Sequence, residues 1–132
     1  MKKNQVLFIS YDGMTDPLGQ SQVLPYLVGL SQQGYNITIL SCEKKDRFKK
    51  FKQDIINLIS PSGIQWQYVF FSSKPPVLSK YYDLIRLKNK AVALHKTTSF
   101  ELVHCRSYVS ADIGLYLKKR FQKTFLKNIP SF

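Results

Sequence analysis

The chain has few acidic residues, few cysteines and no long hydrophobic segment. Its 132 residues include 8 Asp and Glu against 20 Lys and Arg, two cysteines, 6 glycines and 6 prolines. Two cysteines cannot build the disulfide framework of a small secreted domain, and so little Gly and Pro excludes fibrous and low-complexity chains. The apolar stretch Val6–Ser10 is too short for a signal-peptide core or a membrane span of about 20 residues. We therefore expect one cytoplasmic domain.

Several common site motifs are also absent. The sequence contains no P-loop, no GxGxxG dinucleotide fingerprint and no GxSxG nucleophile elbow. His95 and His104 lack the spacing of metal ligands, and Cys42 and Cys105 lack the spacing of a zinc site. We expect no metal and no tightly bound cofactor.

The net charge of +12 is unevenly distributed along the chain. Residues 1–42 are neutral, with Lys2 and Lys3 balanced by Asp12 and Asp16, so 18 of the 20 basic residues and 6 of the 8 acidic residues follow residue 42. The excess positive charge after residue 42 indicates an anionic partner for that part of the surface.

The hydrophobic pattern predicts alternating strands and helices, which is typical of a parallel sheet with right-handed crossovers. We predict a doubly wound, Rossmann-like α/β domain over residues 1–121 with four to five strands, followed by an irregular, aberrant tail over 122–132 in which Phe125-Leu126 could begin a fifth strand. The predicted strands are Val6–Ser10, Tyr35–Cys42, Ile64–Phe71 and Leu102–Cys105, and the predicted helices are 23–34, 46–60 with Asp46 as N-cap, 78–98 and 107–121.

The strand order 3-2-1-4 would put the ligand site between the first and fourth strands, where the order reverses. The loop Tyr11–Gln22 and the turn His104–Tyr108 meet there, and the loop is longer than an ordinary βα connection. Cys42 and Cys105 would lie on strands two apart, about 9–10 Å from each other, too far for a disulfide. His104 and Cys105 would point to opposite faces, and His104 is equally consistent with a core histidine and a ligand contact.

Phosphate is the ligand chemistry that this region suits best. Backbone amides near Gly13 and Gly19, the N-terminus of the helix that starts near Gln22, and Arg106 are the groups suited to bind an anion.

Two segments carry a resemblance to a known family. The segment Val6–Ser41, with YDGMTDPLGQSQVLPYL at its centre, and the segment Glu101–Phe121, with His104-Cys105-Arg106-Ser107-Tyr108, resemble the N-terminal domain of bacterial family-4 glycosyltransferases of the GT-B fold. The resemblance implies a second, C-terminal domain that binds a nucleotide-sugar donor across a cleft. By position it places Gly19, Gln20 and Ser21 toward the donor phosphates, and His104, Arg106 and Ser107 in the lining of the same cleft. From the residues themselves, Gly13 and Arg106 are further candidates for the donor phosphates, and Asp12 and Asp16 join His104 and Ser107 as acceptor-side candidates.

The expected function is therefore the acceptor half of a retaining enzyme. Such an enzyme would transfer sugar from a nucleotide-sugar to a glycan or lipid-linked acceptor in envelope or surface polysaccharide synthesis. Because 122–132 departs from the family pattern, we expect a truncated chain that is inactive without its donor domain. Many relatives have a glycine pair and a histidine where this chain has Gly19 and Gln22, so no catalytic residue is assigned. Asp12 and Asp16 are candidate bases, or otherwise solvated loop carboxylates.

Two other interpretations remain for the basic surface. Basic residues lie beside aromatic ones on the second and third predicted helices, and they suit docking on the anionic inner face of the plasma membrane. Alternatively they form a solvated face. These residues are Lys49, Lys50, Lys52, Arg86, Lys88 and Lys90. Alternatively the chain is a non-catalytic module that binds an anionic membrane or nucleic acid, with Trp66–Phe71 stacking on bases. Nucleic acid is disfavoured because that strand has the pattern of a buried one and no known motif occurs.

Overall fold

The computed structural model describes residues 4–72, 76–98, 100–106 and 124–127. Its centre is a five-stranded parallel sheet with the order β3-β2-β1-β4-β5. This order confirms the predicted reversal between the first and fourth strands. The strands are β1 (Asn4–Ser10), β2 (Tyr35–Glu43), β3 (Gln65–Phe70), β4 (Leu102–Cys105) and β5 (Thr124–Lys127).

The helices between the strands agree closely with the sequence pattern. They are α1 (Leu24–Gln32), which follows one π-helical turn over Gly19–Val23, α2 (Lys45–Ile59), which runs into a 3₁₀ turn over Ser60–Ser62, and α3 (Pro76–Thr97). Pro25 is the second residue of α1 and follows the π-helical turn directly. No helix in the described ranges is long and apolar enough to cross a bilayer.

Helix α2 begins before Asp46, the residue predicted as its N-cap. The N-cap of α2 is Lys44 and not Asp46, which lies within the first turn and places a carboxylate near the positive end of the helix. The predicted fourth helix, 107–121, falls outside the described residues.

Both faces of the sheet are buried, because β1 sends alternate side chains into two separate cores. Val6 and Phe8 pack with residues of α1 and α2 on one face, whereas Leu7 and Ile9 pack with residues of α3 on the other. This double burial explains why β1 is a continuous apolar run in the sequence. The edge strand β3 is covered on one face by Phe48 of α2, whose ring lies 4.5–5.5 Å from three aromatic rings of that strand, those of Trp66, Tyr68 and Phe70.

The segment predicted as an irregular tail contains a strand. Residues Thr124–Lys127 pair in parallel with β4 from Leu102↔Thr124 to Cys105↔Lys127. Without this strand β4 would expose an unpaired edge, so the pairing satisfies backbone groups that the sequence pattern alone would leave open. The alternative of a fifth strand at Phe125-Leu126 is thus confirmed, while the domain boundary at residue 121 stays a prediction.

The two cysteines are core residues and form no disulfide. Cys42 and Cys105 are 1% and 0% exposed, and β1 lies between their strands. Burial, reinforced by the nearby carboxylates of Asp83 and Glu43, raises the pKa of the Cys42 thiol to about 12. His104 and Cys105 lie on opposite faces, as expected, since Cys105 packs in the α3-side core and His104 packs against Phe8 on the other side.

We expect both thiols to be unreactive in the folded protein. At pH 8 the Cys42 thiol, with a pKa of about 12, is ionised in only about one molecule in 10⁴, and burial blocks access to both thiols. Labelling with iodoacetamide, read by peptide mass spectrometry, should modify neither cysteine in buffer and both in denaturant. Rapid native labelling of Cys42 would contradict the buried position at the end of β2.

Candidate functional site

The loop that follows β1 is built around one buried carboxylate. Glu43, the last residue of β2, is 0% exposed. Its oxygens accept hydrogen bonds from the amide of Met14 at 2.8 Å, the amide of Thr15 at 3.2 Å and the hydroxyl of Thr15 at 2.7 Å. The hydroxyl of Ser41 donates a fourth hydrogen bond. A buried carboxylate is tolerated only when donors surround it in this way, so Glu43 and the loop depend on each other.

This network reaches the edge of the sheet through Ser41. The indole Nε1 of Trp66 on β3 donates to Ser41 Oγ at 2.9 Å, and Ser41 in turn donates to Glu43. The series of hydrogen bonds therefore connects β3 with the loop after β1 across the width of β2.

Two glycines allow the loop to fold against itself and against Glu43. A Cβ atom on Gly13 would lie 2.5 Å from Glu43 Oε1, and one on Gly19 would lie 2.6 Å from the carbonyl oxygen of Gly13 and 2.7 Å from the Cα of Met14. Both positions are buried. The predicted pair Gly13 and Gly19 is thus brought together, and the reason is close backbone approach within the loop.

Arg106 is fixed at the carboxyl end of β4 and reaches the same loop. Its guanidinium Nη1 lies 2.8 Å from Asp12 Oδ2, and its backbone amide donates to the carbonyl of Ile9 at 3.0 Å. The side chain of Arg106 is only 7% exposed, whereas that of Asp12 is 59% exposed. A largely buried guanidinium held by one carboxylate has a defined direction, which is a requirement for recognising an oxyanion.

Asp16 organises the opposite side of the loop. It accepts a hydrogen bond from the amide of Gly13 at 3.2 Å and forms ion pairs with Arg47 at 3.4 Å and Lys44 at 3.7 Å. Arg47 Nε also donates to the carbonyl of Thr15 at 2.9 Å. The start of α2 is therefore attached to the loop by two cations that the sequence patterns did not single out.

These groups surround a cavity of about 570 Å³ beyond the carboxyl ends of β1, β2 and β4. Three of its lining residues are cations and two are carboxylates, a composition suited to a polar, charged ligand. The described lining residues are Asp12, Asp16, Pro17, Leu18, Gly19, Lys44, Arg47 and Arg106. We refer to it as the crossover cavity, because it lies where the strand order reverses.

The remaining predicted residues lie outside this lining. Gln20 is half-buried and its amide Nε2 donates to the carbonyl of Thr15 at 2.9 Å, so it braces the loop, and Ser21 is exposed. His104 is buried under the α1 side, with Phe8 at 4.9 Å and Tyr26 at 6.1 Å in edge-to-face contacts, a core environment. Ser107 falls outside the described residues.

Sequence reasoning missed Glu43, Lys44 and Arg47. The one available signal was position, since all three lie at or just after the carboxyl end of the second strand, on the same side of the sheet as the β1 loop. In the described part of the chain no cluster of three metal-binding side chains occurs.

The comparisons with known proteins identify the fold and no family. No family model and no curated protein matches the chain. A glycosyltransferase from Rickettsia africae is similar in structure, with a TM-score of 0.61, 16% identity and coverage of 99% of this chain and 32% of that one. MurG of Acinetobacter baumannii is similar with a TM-score of 0.58 and 15% identity, and the match covers 94% of this chain and 34% of that one.

The fold is shared with glycosyltransferases. It is also shared with proteins of other activities: the C-terminal domain of a Pyrococcus furiosus hydrogenase matches with a TM-score of 0.70 and 17% identity, covering 98% of this chain and 94% of that one. At such identities the likeness is one of architecture, a Rossmann-like domain. The chain spans about a third of the length of the two glycosyltransferases.

Replacing Glu43 should loosen the whole loop. We expect Glu43→Ala to lower the free energy of unfolding by about 3 kcal/mol or more, because several buried donors lose a charged acceptor. Urea denaturation measures the change, and Glu101→Ala, at an exposed glutamate, is the control with the same charge difference. Equal losses in the two variants would contradict the anchoring role of Glu43.

A pair of glycine variants should move stability in opposite directions. The methyl group of Gly19→Ala would push against the backbone of Gly13 and Met14, so we expect this variant to lower the free energy of unfolding by about 1–3 kcal/mol. Gly29→Ala, in α1 with nothing within 4 Å of the added methyl group, should stabilise by up to about 1 kcal/mol, since alanine favours helix. Thermal unfolding of both variants is the measurement, and a neutral Gly19→Ala would argue against a tightly folded loop.

Proposed function

We propose that the chain is the acceptor-side domain of a glycosyltransferase that uses a nucleotide-sugar donor. The observation that carries the proposal is the crossover cavity, a charged cavity with a fixed arginine at the strand-order reversal of a Rossmann-like sheet. This is where such folds bind their ligands. The structural likeness to the Rickettsia glycosyltransferase and to MurG supports the proposal at the level of the fold.

The cations of the cavity suit the charge that develops during sugar transfer. As the bond between sugar and nucleoside diphosphate breaks, negative charge grows on the departing phosphate oxygens. Arg106, oriented by Asp12 at 2.8 Å, would donate to those oxygens from one side of the cavity, and Arg47 and Lys44 add positive charge on the other. Donors that are fixed before the reaction stabilise the leaving group without reorganisation.

The two loop carboxylates are better placed to orient cations than to take a proton. Asp12 is engaged by Arg106, and Asp16 by Arg47, Lys44 and the amide of Gly13. We therefore assign Asp12 and Asp16 a positioning role and leave the catalytic base unassigned. In this proposal the acceptor hydroxyl is held near the exposed rim, formed by Asp12 and by Leu18, which is 51% exposed.

The donor's nucleoside and sugar would be enclosed by a second domain. In the proposal that domain faces the crossover cavity, and the chain spans only about a third of each similar glycosyltransferase. The 132-residue chain should then bind the diphosphate weakly and transfer no sugar by itself. Envelope or surface polysaccharide synthesis is the proposed setting.

The outer face of α2 is the proposed contact with the membrane that would hold a lipid-linked acceptor. Lys49, Lys50 and Lys52 are exposed on it, with Lys50 lying 5.3 Å from the ring centre of Phe51. Cations beside a half-buried aromatic ring suit docking on anionic lipid at the cytoplasmic surface. The predicted membrane-facing residues of α3 are less accessible than those of α2. Lys88 and Lys90 are half-buried, and Arg86 donates a hydrogen bond to the carbonyl oxygen of Phe70 at 2.7 Å.

Nucleoside diphosphates should bind at Arg106. We expect a panel of them, titrated into ¹⁵N-labelled protein, to shift the amide signals of residues 12–16, 18, 19 and 106. Arg106→Gln should weaken binding at least tenfold, because a charged hydrogen bond contributes about 1.5–3 kcal/mol. Lys96→Gln, at an exposed lysine near the end of α3, is the matched control for loss of one charge.

Two results would overturn the proposal in different parts. If no nucleoside diphosphate shifts these signals while the spectrum shows a folded protein, the donor-phosphate role of the cavity is wrong. If the purified chain transfers sugar efficiently from a nucleotide-sugar, the assignment as an incomplete half is wrong. Asp12→Asn provides a second variant should Arg106→Gln fail to fold.

A further inference from the structure

A second cavity, of about 590 Å³, lies beyond the carboxyl ends of β2 and β3. We call it the edge cavity, because β3 is the outermost strand on this side. It is adjacent to the crossover cavity, and Lys44 contributes to the lining of both. Its described lining residues are Lys44, Lys45, Asp46, Phe70, Phe71, Ser72 and Arg86.

The arginine of this cavity is held in place by contacts on two sides. Arg86 Nη1 donates to the carbonyl oxygen of Phe70 at 2.7 Å and lies 3.6 Å from Asp83 Oδ1. Asp83 is 2% exposed, and both of its carboxylate oxygens lie 3.0 Å from the amide nitrogen of Ser72. Arg86 therefore has a defined position at the cavity wall, and its side chain is still one-third accessible, at 34%.

The charge of the lining is predominantly positive. Lys44 and Lys45 are exposed and stand with Arg86 against the single lining carboxylate of Asp46. The first turn of α2, which begins here, adds the partial positive charge of its amide groups. Phe70 and Phe71 supply an apolar wall, so water competes less strongly for an anion than it would on an open surface.

We propose that the edge cavity binds a phosphate or diphosphate group. A fixed guanidinium together with the ammonium groups of Lys44 and Lys45 matches the several oxygens of such an anion, whereas a carboxylate ligand would engage fewer of these donors. If the chain acts as proposed above, donor phosphates occupy the crossover cavity, and the phosphate in the edge cavity belongs to the acceptor. That last assignment rests on the proposed function, whereas phosphate binding itself does not.

A titration with inorganic pyrophosphate tests the proposal directly. ¹⁵N-labelled full chain at low ionic strength should show saturable shifts of the amide signals of residues 44–46, 70–72 and 86. Lys45→Gln and Arg86→Gln should each raise the dissociation constant about fivefold, equivalent to about 1 kcal/mol. Lys96→Gln should leave it unchanged. Because Arg86 also holds Asp83, the exposed Lys45 gives a variant that preserves the local packing.

Sedimentation with vesicles distinguishes a lipid headgroup from a soluble phosphate. Vesicles of phosphatidylcholine with and without phosphatidylglycerol are compared, with wild type and Lys45→Gln. If the site takes a headgroup, binding to anionic vesicles falls in the variant and is displaced by pyrophosphate. If it takes a soluble phosphate, pyrophosphate still binds in the titration and vesicle binding is the same in both proteins. Either result supports a phosphate site.

Three results would overturn the proposal. The first is the absence of saturable shifts. The second is a Lys96→Gln variant that weakens pyrophosphate binding as much as Lys45→Gln does, which would indicate diffuse surface charge. The third is a set of shifts confined to residues 12–19 and 106. The last result would place the pyrophosphate in the crossover cavity and leave the proposed function intact. Conversely, pyrophosphate could bind at residues 44–46 and 86 while no nucleoside diphosphate binds. The edge-cavity proposal would then stand, and the donor-phosphate role of the crossover cavity would be wrong.

Discussion

The buried carboxylate of Glu43 is the interaction on which the crossover cavity depends. It gathers the amides of Met14 and Thr15 and the hydroxyls of Thr15 and Ser41 at one point beneath the loop. Once the loop is held there, Asp12 and Asp16 are carried to opposite sides, where they meet Arg106 and the cations of α2. A charge that would otherwise destabilise the core thus sets the geometry of charges at the surface.

The strands and their order were predictable because burial on both faces produces an unmistakable sequence pattern. Val6–Ser10 and Tyr35–Cys42 are apolar or β-branched over nearly their whole length, and the alternation with helical segments requires parallel pairing. The position of the crossover cavity could be expected from that order alone. The short strand Thr124–Lys127 was only an open alternative, since four residues without periodicity carry little information until β4 offers an edge to pair with.

Glu43 was not predictable for a related physical reason. An acid at the end of a strand usually points to solvent, and only the in-register pairing of β1 with β2, which sets Ser10 opposite Ser41, brings Glu43 under the loop. Gly13 and Gly19 have a packing role in the structure, whereas phosphate binding at these positions stays a prediction. Such contacts depend on distances between segments far apart in sequence, which spacing patterns do not contain.

The hydrogen bond between Trp66 and Ser41 has a practical consequence. Trp66 is the only tryptophan of the chain, and its indole N–H lies one hydroxyl away from the carboxylate that holds the site loop. Indole emission responds to hydrogen bonding and to nearby charge, so the chain carries its own optical reporter at the base of the site. A change in the hydrogen bonds around Glu43 should therefore alter the fluorescence of the unlabelled protein.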